Sequence, residues 1–391
     1  MKKWIKEQVK KVYHRALWKG YFPCVYKRAV RRSVEPRKIV FVEQQINELS
    51  DSLRLLYDTL KAQGHYKINI HCLREGYSPA LKYLHNAKVA LRDIATAEAV
   101  FLCEGSRLIS CVKMREETKV AQVWHGCGAF KKFGASTANH LFGGNLKEME
   151  TYSYYKNQDV VTVSSPEVVW AYQEAMSLAN NSNIIKPFGI SRTDVFFDDD
   201  FIKNRRRQIL KQVPAIGAKE IILYAPTYRG DIKAAEAPNA LDLRAMKKRL
   251  SDKYVLLIKH HPKVKNRPII ASEVADFAFD VSATCDIADL ICASDICIAD
   301  YSSLIFEYSL MERPMIFFAY DLDDYEDWRG FYYDYDELTP GPVVKTTAAV
   351  IACIEDVSPD DMDKISAFKQ KFMSACDGKA TARLLEYLNL L

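Results

Sequence analysis

The sequence predicts an α/β protein made of two similar halves, each with a parallel β-sheet covered by helices. Short apolar runs typical of buried strands alternate with helical stretches, before residue 180 and again after residue 200. This alternation is typical of parallel sheets, whose strands are buried on both faces. A chain of 391 residues also exceeds one ordinary domain. Because ligands bind at the carboxyl ends of parallel strands, the two halves predict a cleft between them.

The chain begins with a basic arm. Its first 38 residues contain 13 Lys or Arg and two Glu, a net charge of +11, which leaves the remainder near −6. The apolar positions that recur at helical spacing are Ile5, Val9, Val12 and Ala16. The aromatic residues are Trp4, Trp18, Tyr21 and Phe22. We interpret residues 1–36 as a basic amphipathic helix on an anionic membrane surface. Packing on its own domain is the alternative; nucleic acid is disfavoured, since nothing later resembles a base-reading module.

The first domain is predicted to span residues 37–195. Its strands are expected at residues 38–43, 66–71, 99–103, 119–124 and 159–163. Its helices are expected at residues 46–63, 78–85 and 166–179. Residues 180–200 are polar and irregular, and they mark the boundary between the domains.

The second domain is predicted to span residues 196–391. Its strands are expected at residues 220–224, 254–258, 296–299 and 314–318. Its helices are expected at residues 241–250, 286–294, 303–311 and 359–391. The last of these helices is expected to be able to pack back on the first domain.

Composition excludes several classes of protein. No apolar run reaches the roughly 20 residues needed to span a bilayer, and the N-terminus lacks the apolar core of a secretory signal. The ten cysteines form no CxxC pair, and they do not combine with His at zinc spacings. We therefore expect a reduced, cytosolic compartment. Because no carboxylate cluster is apparent either, we expect no metal and no other cofactor.

Two adjacent serines follow the strand predicted at residues 296–299. Ser302 and Ser303 stand at the start of the next helix, where free backbone N–H groups and the helix dipole favour an anion. Two hydroxyls add donors, so the pair suits a nucleotide pyrophosphate. A helix cap, worth about 1 kcal/mol, is the alternative for one serine. We interpret the preceding Asp300 as a turn-former rather than a ligand.

Polar side chains also follow other predicted strands. Thr227 and Arg229 follow the strand at residues 220–224, and Lys259 and His261 follow the strand at residues 254–258. The guanidinium of Arg229 suits phosphate oxygens, which it can bind as a fork.

The first half contributes His125, which follows the strand at residues 119–124 and is followed by Gly126 and Gly128. Imidazole suits proton transfer near neutral pH, and glycines allow a ligand to approach the backbone. Polar groups at four strand ends of one cleft predict a site for a phosphate-bearing ligand.

These stretches together resemble the CDP-glycerol:glycerophosphate glycerophosphotransferases of teichoic-acid synthesis. The resemblance covers about residues 37–385 and rests on "VWHGCGAFKKFG" (123–134), "GISRTD" (189–194), "YAPTYRGD" (224–231), "IKHHP" (258–262) and "DICIADYSSLIFEYSLMERPMIFFAYDLDDYEDWRGFYYDYDELTPGPVV" (295–344). It implies a GT-B-like fold of two Rossmann-type domains, with the nucleotide bound mainly by the second. It also implies a peripheral enzyme on the cytoplasmic face of the membrane.

The implied reaction moves glycerol phosphate from CDP-glycerol to a hydroxyl of a lipid-linked saccharide or polyol-phosphate acceptor, with release of CMP. His125 is the expected general base. His261 is the second expected catalytic residue. Together with Arg229, Ser302 and Ser303 it is expected to hold the pyrophosphate and to offset charge on the departing CMP, and Thr227 and Lys259 are expected to support them. Arg329 is a further candidate for phosphate binding. A homo-oligomer is possible, and the length favours a primase or a capsule-type transferase over a polymerase.

The chain departs from the family pattern in the first half. Cys127 and Gly128 stand where the family has Thr-Pro, and Ser191 stands where it has a proline. The family's Arg-x-His-Pro reads Lys259-His260-His261-Pro262 here. The alternatives are a CDP-ribitol-using transferase, a nucleotide-sugar glycosyltransferase of the same fold, and a non-catalytic membrane-bound scaffold.

Overall fold

The computed structural model describes Gln8 and residues 11–138, 140, 145–178, 182–230 and 234–391; the side chains of residue 182 and residues 326–329 lie outside this description. The described chain forms two six-stranded sheets, and all of their strand pairs are parallel. The first sheet has the order β2-β1-β3-β4-β5-β6 and the second the order β12-β11-β10-β7-β8-β9. The predicted α/β architecture with two similar halves is confirmed.

The first sheet is formed by short strands in the first half of the chain. They are Lys38–Glu43 (β1), Lys67–Cys72 (β2), Ala99–Leu102 (β3), Lys119–Gln122 (β4), Val160–Thr162 (β5) and Ile185–Lys186 (β6). The helices of this half are Phe22–Ala29 (α1), Asp51–Ala62 (α2), Ala80–Ile94 (α3), Arg107–Ser110 (α4), Leu146–Thr151 (α5) and Val169–Met176 (α6). All six residues of β1 are buried, as expected for a strand covered on both faces.

The second sheet has strands of similar length. They are Glu220–Tyr224 (β7), Tyr254–Ile258 (β8), Ala278–Asp280 (β9), Ile296–Ala299 (β10), Met315–Phe318 (β11) and Val343–Val344 (β12). The helices are Asp199–Gln212 (α7), Leu243–Leu250 (α8), Ile287–Ala293 (α9), Leu304–Ser309 (α10), Leu322–Arg329 (α11), Thr347–Glu355 (α12), Pro359–Phe372 (α13) and Ala380–Tyr387 (α14). Short 3₁₀ helices lie at Gly134–Thr137, Pro166–Val168, Ser182–Ile184, Ser191–Phe197, Pro214–Ile216, Ser272–Val274 and Tyr335–Leu338.

The basic arm packs on the first half of the protein. Residues 11–16 are helical and continue through a π-helical segment, Leu17–Tyr21, into α1. Trp18 and Phe22 are buried against the first domain, and they contact Tyr83 of α3. Two of the four aromatic residues assigned to the membrane therefore belong to the core, as the packing alternative expects.

Other residues of the arm are exposed or lie outside the described residues. Tyr21 stays exposed, as do Val12 and Tyr13. Trp4, Ile5 and Val9 lie outside the described residues. No described helix combines the length and the apolar character that crossing a membrane requires.

The last helix, α14, returns to the first half. Leu384 and Leu385 are buried in the same cluster as Phe41 of β1. Asp194 accepts hydrogen bonds from the backbone N–H groups of Ala380 (3.0 Å) and Thr381 (2.8 Å). The chain therefore crosses between the halves twice, once before α7 and once after α13.

One arginine of α14 joins the second crossing segment to the first half. The Arg383 guanidinium donates hydrogen bonds to the carbonyl oxygen of Phe188 (2.5 Å), before the first crossing, and to that of Ala375 (3.1 Å), in the second. The same side chain pairs with Asp377 at 2.7 Å. The second crossing segment is thus held to the first half as well as to α14.

Candidate functional site

A buried hydrogen-bond network holds the loop after β10 in place. The carboxylate of Asp300, which is 2% exposed, accepts hydrogen bonds from the backbone N–H of Thr227 (2.9 and 3.1 Å) and from Arg229 (3.0 Å). Tyr335 donates its hydroxyl to the carbonyl oxygen of Asp300 at 3.0 Å. Asp300 therefore joins the loops that follow β7 and β10, as expected for a residue that shapes a turn.

Arg229 is engaged within the protein. Its guanidinium binds both carboxylate oxygens of Asp321, at 2.6 and 2.9 Å, and it also reaches Asp300. It lies 5.1 to 5.4 Å from the ring centres of Tyr301, Tyr320 and Tyr325. Burial works against the charge, but the two carboxylates prevail and raise the pKa of Arg229. The fork expected to hold phosphate is thus directed at Asp321, so Arg229 positions the loop in this structure.

Ser302 and Ser303 lie outside this network. Tyr301 is fully buried, whereas Ser302 is half-buried and Ser303 is exposed. The hydroxyl of Ser302 accepts a hydrogen bond from the backbone N–H of Leu304 at 3.2 Å, so it caps the start of α10. Ser303 makes no such capping bond. Capping therefore accounts for Ser302 alone and leaves the exposed Ser303 unexplained.

The two polar side chains of the loop after β8 have different surroundings. Lys259 donates to the carbonyl oxygens of Ser282 (3.0 Å) and Cys285 (2.6 Å), and burial lowers its pKa. His261 is exposed, and its Nδ1 accepts a hydrogen bond from the backbone N–H of Lys263 at 3.1 Å. The proton of the neutral imidazole is therefore on Nε2. Lys259 braces a neighbouring loop, whereas the exposed His261 ring lies 5.0 Å from the ring of Tyr228.

His125 follows β4 in the first half. Its ring stacks on that of Trp124, with centroids 4.5 Å apart, and Trp124 has a positive φ of 61° that turns the chain out of the sheet. His125 is exposed, yet neighbouring protein atoms exclude part of the water around its ring. That surrounding, together with the positive charge of Arg192, lowers the pKa of His125 to about 4. The ring is thus neutral at pH 7 and able to accept a proton.

A buried ion pair joins the halves beside His125. Arg192 of the 3₁₀ helix before α7 contacts Glu307 of α10 at 2.7 Å. Burial raises the pKa of Glu307. Burial also works against the charge of Arg192, but its interactions, with the attraction of Glu307 foremost, outweigh this and raise the pKa of Arg192. Sequence reasoning assigned neither residue a role, although "GISRTD" carries Arg192 and the segment after the serine pair carries Glu307. The pair connects the surroundings of His125 to the helix that starts beside Ser303.

The residues that depart from the family pattern, Cys127, Gly128 and Ser191, make specific contacts in the structure. Gly128 has a φ of +62°, and a Cβ there would lie 2.3 Å from the ring of Phe306, so this position accepts only glycine. Cys127 is buried, and burial raises the pKa of its thiol. The hydroxyl of Ser191 lies 2.7 Å from that of Thr381 in α14. At these departures, Gly128 therefore packs against Phe306 of the second half, and Ser191 contacts the last helix.

Two other expectations concern the same region. Arg329 ends α11, and its side chain lies outside the described part of the structure. Within the described residues, no three His, Cys, Asp or Glu side chains are grouped so that they could hold a metal ion.

The profile of a family described as CDP-glycerol:poly(glycerophosphate) glycerophosphotransferase matches residues 24–390. The chain belongs to this family. It is therefore a transferase of teichoic-acid synthesis, from a family that handles glycerol or ribitol phosphate, and the resemblance noted in the sequence is confirmed.

Among curated relatives, the teichoic acid ribitol-phosphate primase of Bacillus spizizenii is 33% identical over 95% of this chain and 96% of its own. The poly(ribitol-phosphate) polymerase of the same organism is also 33% identical, but the match covers 56% of that protein. The teichoic acid glycerol-phosphate primase of Bacillus subtilis is 28% identical over 86% of this chain and 88% of its own.

Solved structures support the fold. The wall teichoic acid polymerase TagF superposes with a TM-score of 0.77 at 23% identity, covering 98% of this chain and 97% of the TagF chain. The expected GT-B-like fold of two Rossmann-type domains is confirmed.

Proposed function

We propose that this glycerophosphotransferase-family enzyme moves a polyol phosphate from a CDP-alcohol to an acceptor hydroxyl and releases CMP. One observation carries the proposal: the exposed Ser303 extends from a loop that Asp300 and Arg229 fix from within the protein. A rigid loop at a strand end, with hydroxyls outward, suits a pyrophosphate whose position must not change during transfer.

The residues take different roles in this proposal. Ser302, Ser303 and the Nε2–H of His261 donate to the pyrophosphate. Thr227 and Arg229 hold the serine loop through Asp300, and Lys259 braces the loop after β9.

The chemistry requires one proton transfer. The acceptor hydroxyl attacks the phosphorus that bears the polyol, and the bond from this phosphorus to the CMP oxygen breaks. CMP leaves with the electron pair, and the hydroxyl proton passes to His125. A neutral imidazole is required for this step, which agrees with the lowered pKa of His125.

Two polyols are candidates. The family description names glycerol, which the sequence analysis expects, and one solved TagF variant was soaked with CDPG. The 33% identity to a ribitol-phosphate primase, against 28% to a glycerol-phosphate primase, favours ribitol. CDP-ribitol is therefore the second candidate donor.

The arm supports attachment to an anionic membrane surface. Arg28 and Arg32 line a surface cavity of about 450 Å³ together with Lys88 and Arg92 of α3. Four cations around one cavity suit lipid phosphates at a cytoplasmic membrane face. Cosedimentation with phosphatidylglycerol vesicles, but not with phosphatidylcholine vesicles, is the expected result.

The function is tested by a donor screen. The purified protein is given CDP-glycerol, CDP-ribitol and UDP-N-acetylglucosamine, each with a lipid-linked disaccharide, and released nucleotide is measured. We expect CMP from one CDP-alcohol and no UDP. Release of UDP alone would instead identify a glycosyltransferase, and release of neither nucleotide would support a non-catalytic scaffold.

A further inference from the structure

A second cavity lies at the carboxyl ends of the first sheet, away from the serine loop. Its volume is about 540 Å³, within the range of pockets that bind small molecules. Its walls come from the segments after β1, β2, β3 and β4 and from residues just before β5. The lining residues used below are Gln44, Glu75, Glu104, Arg107, Trp124 and Tyr154.

Gln44 gives the cavity an unsatisfied polar group. Its side chain is 4% exposed, and neither its amide nitrogen nor its amide oxygen has a hydrogen-bond partner among the described residues. A buried amide left unpaired is unfavourable, because it has lost its hydrogen bonds to water and gained none in the protein. A ligand that both donates and accepts hydrogen bonds would complete this amide.

The charges of the cavity disfavour an anion. Glu75 and Glu104 line it, and burial raises the pKa of both carboxyl groups. The lining cation is Arg107, which lies 3.7 Å from Glu75 and 4.4 Å above the ring of Tyr154. A phosphate would thus meet two carboxyl groups and a single arginine, whose charge is shared with Glu75 and whose Nε has no hydrogen-bond partner among the described residues. Hydroxyl groups, by contrast, bind to carboxyl and amide side chains alike.

Aromatic rings complete the lining. Trp124, Tyr154 and Tyr155 form walls, and Tyr77 lies at the rim. Flat rings beside polar side chains suit a ligand with both apolar C–H faces and hydroxyl edges, as a sugar ring has. A linear polyol phosphate offers no such face.

The cavity borders the proposed reaction centre. Trp124, one of its walls, carries the stacked ring of His125. At its rim, the hydroxyl of Tyr77 accepts a hydrogen bond from Lys263 of the second half at 3.2 Å, two residues after His261. His125 itself does not line the cavity, so a ligand held there reaches the expected base by extending past Trp124.

We propose that this cavity binds an uncharged glycosyl unit of the acceptor and presents its hydroxyl to His125. The inference rests on the proposed function and narrows it: the enzyme acts on a saccharide acceptor rather than on a chain of polyol phosphates. Gln44 and Glu104 hydrogen-bond the sugar hydroxyls, and Trp124 and Tyr154 contact its ring.

Binding of the acceptor part is measured directly, without turnover. Saturation-transfer NMR and titration calorimetry are carried out on the full chain with an octyl glycoside of N,N′-diacetylchitobiose and, separately, with a glycerol phosphate trimer. We expect the disaccharide to bind and the trimer not to displace it. Gln44→Leu and Glu104→Gln should each weaken disaccharide binding at least tenfold and leave CMP binding unchanged. Glu116→Gln, on an exposed loop outside the cavity, is the matched control.

The outcomes separate the two proposals. Failure of the disaccharide to bind, equal binding in both folded variants, or tighter binding of the trimer would overturn the saccharide site. Disaccharide binding with the expected losses, but without CMP release from any CDP-alcohol, would keep the site and overturn the proposed reaction. Because Glu104→Gln is nearly isosteric, it tests the site even if Gln44→Leu does not fold.

Discussion

The two halves treat the polar groups at their strand ends in opposite ways. In the second half, Asp300 and Arg229 are saturated by protein partners, so the serine loop is complete before any ligand arrives. In the first half, the Gln44 amide has no partner among the described residues. A polar network whose hydrogen bonds are all satisfied makes its loop rigid, whereas a buried polar group without a partner can still bind a ligand. Substitutions in the Asp300 network of the second half should therefore affect stability and donor binding together, and those at His125 and the Gln44 cavity of the first half should affect acceptor chemistry alone.

The largest effect is expected when the proposed base is removed from the first half. His125→Ala should lower kcat by about 10²–10⁴-fold, because a general base contributes that much. The dissociation constant for CMP should stay unchanged, since the donor loop is formed by other residues. Steady-state CMP release and calorimetry measure the two quantities. His65→Ala, an exposed histidine after α2, is the control; equal activity of both variants would remove His125 from the mechanism.

In the second half, the largest effect is expected at Asp300. Asp300→Ala removes a buried carboxylate that compensates Arg229, and loss of one partner of a buried pair costs about 3–5 kcal/mol. Because Arg229 keeps its second partner, Asp321, we expect the free energy of unfolding in urea to fall by about 3 kcal/mol, the lower end of this range. CMP affinity should fall in parallel. Asp252→Ala on the surface should change stability by less than about 0.5 kcal/mol. Unchanged stability of Asp300→Ala would contradict the idea of a preformed loop.

The serine pair offers a finer test. Ser303→Ala should weaken donor binding about fivefold, equivalent to about 1 kcal/mol for one hydrogen bond, and leave stability unchanged, since Ser303 makes no capping bond. Ser302→Ala should weaken donor binding similarly and also lower the free energy of unfolding by about 0.5–1 kcal/mol, through loss of its bond to Leu304. Identical behaviour of both variants in both measurements would show that the division between cap and ligand is wrong.

The smallest effect is expected in the pH dependence. With the pKa of His125 near 4, its neutral form persists well below pH 6.5, so the acid limb of kcat/KM should fall near pH 4. Arg192 disfavours the imidazolium, so Arg192→Gln should move this limb to higher pH. Rate profiles from pH 3.5 to 8 measure the shift. A wild-type limb at pH 6.5, or a shift to lower pH in the variant, would contradict the assignment.

Sequence reasoning located the buried central strands because their apolar runs are continuous. β1 was predicted at residues 38–43 and observed there, and β10 likewise at residues 296–299. It missed β6, β9 and β12, which have two or three residues and so give no apolar run. It also missed α7, in which only Ile209 is buried, because a helix with so narrow an apolar face looks polar throughout.

The contacts of the site residues could not be predicted from local sequence patterns either. Position at a strand end was readable from the sequence, but the direction of a side chain was not. Arg229 meets Asp321, 92 residues later, and no local pattern could indicate that partner. Gln44 directly follows the first strand and carried no signal of its own, since its importance lies in the partners that it lacks among the described residues.

Arg383 limits how the second crossing segment can move relative to the first half. Its guanidinium bridges the carbonyl oxygen of Phe188, in the first half, and that of Ala375, in the segment between α13 and α14. Any separation of the halves that keeps this bridge intact must therefore bend the returning chain before Ala375, because the chain from Ala375 to α14 stays with the first half.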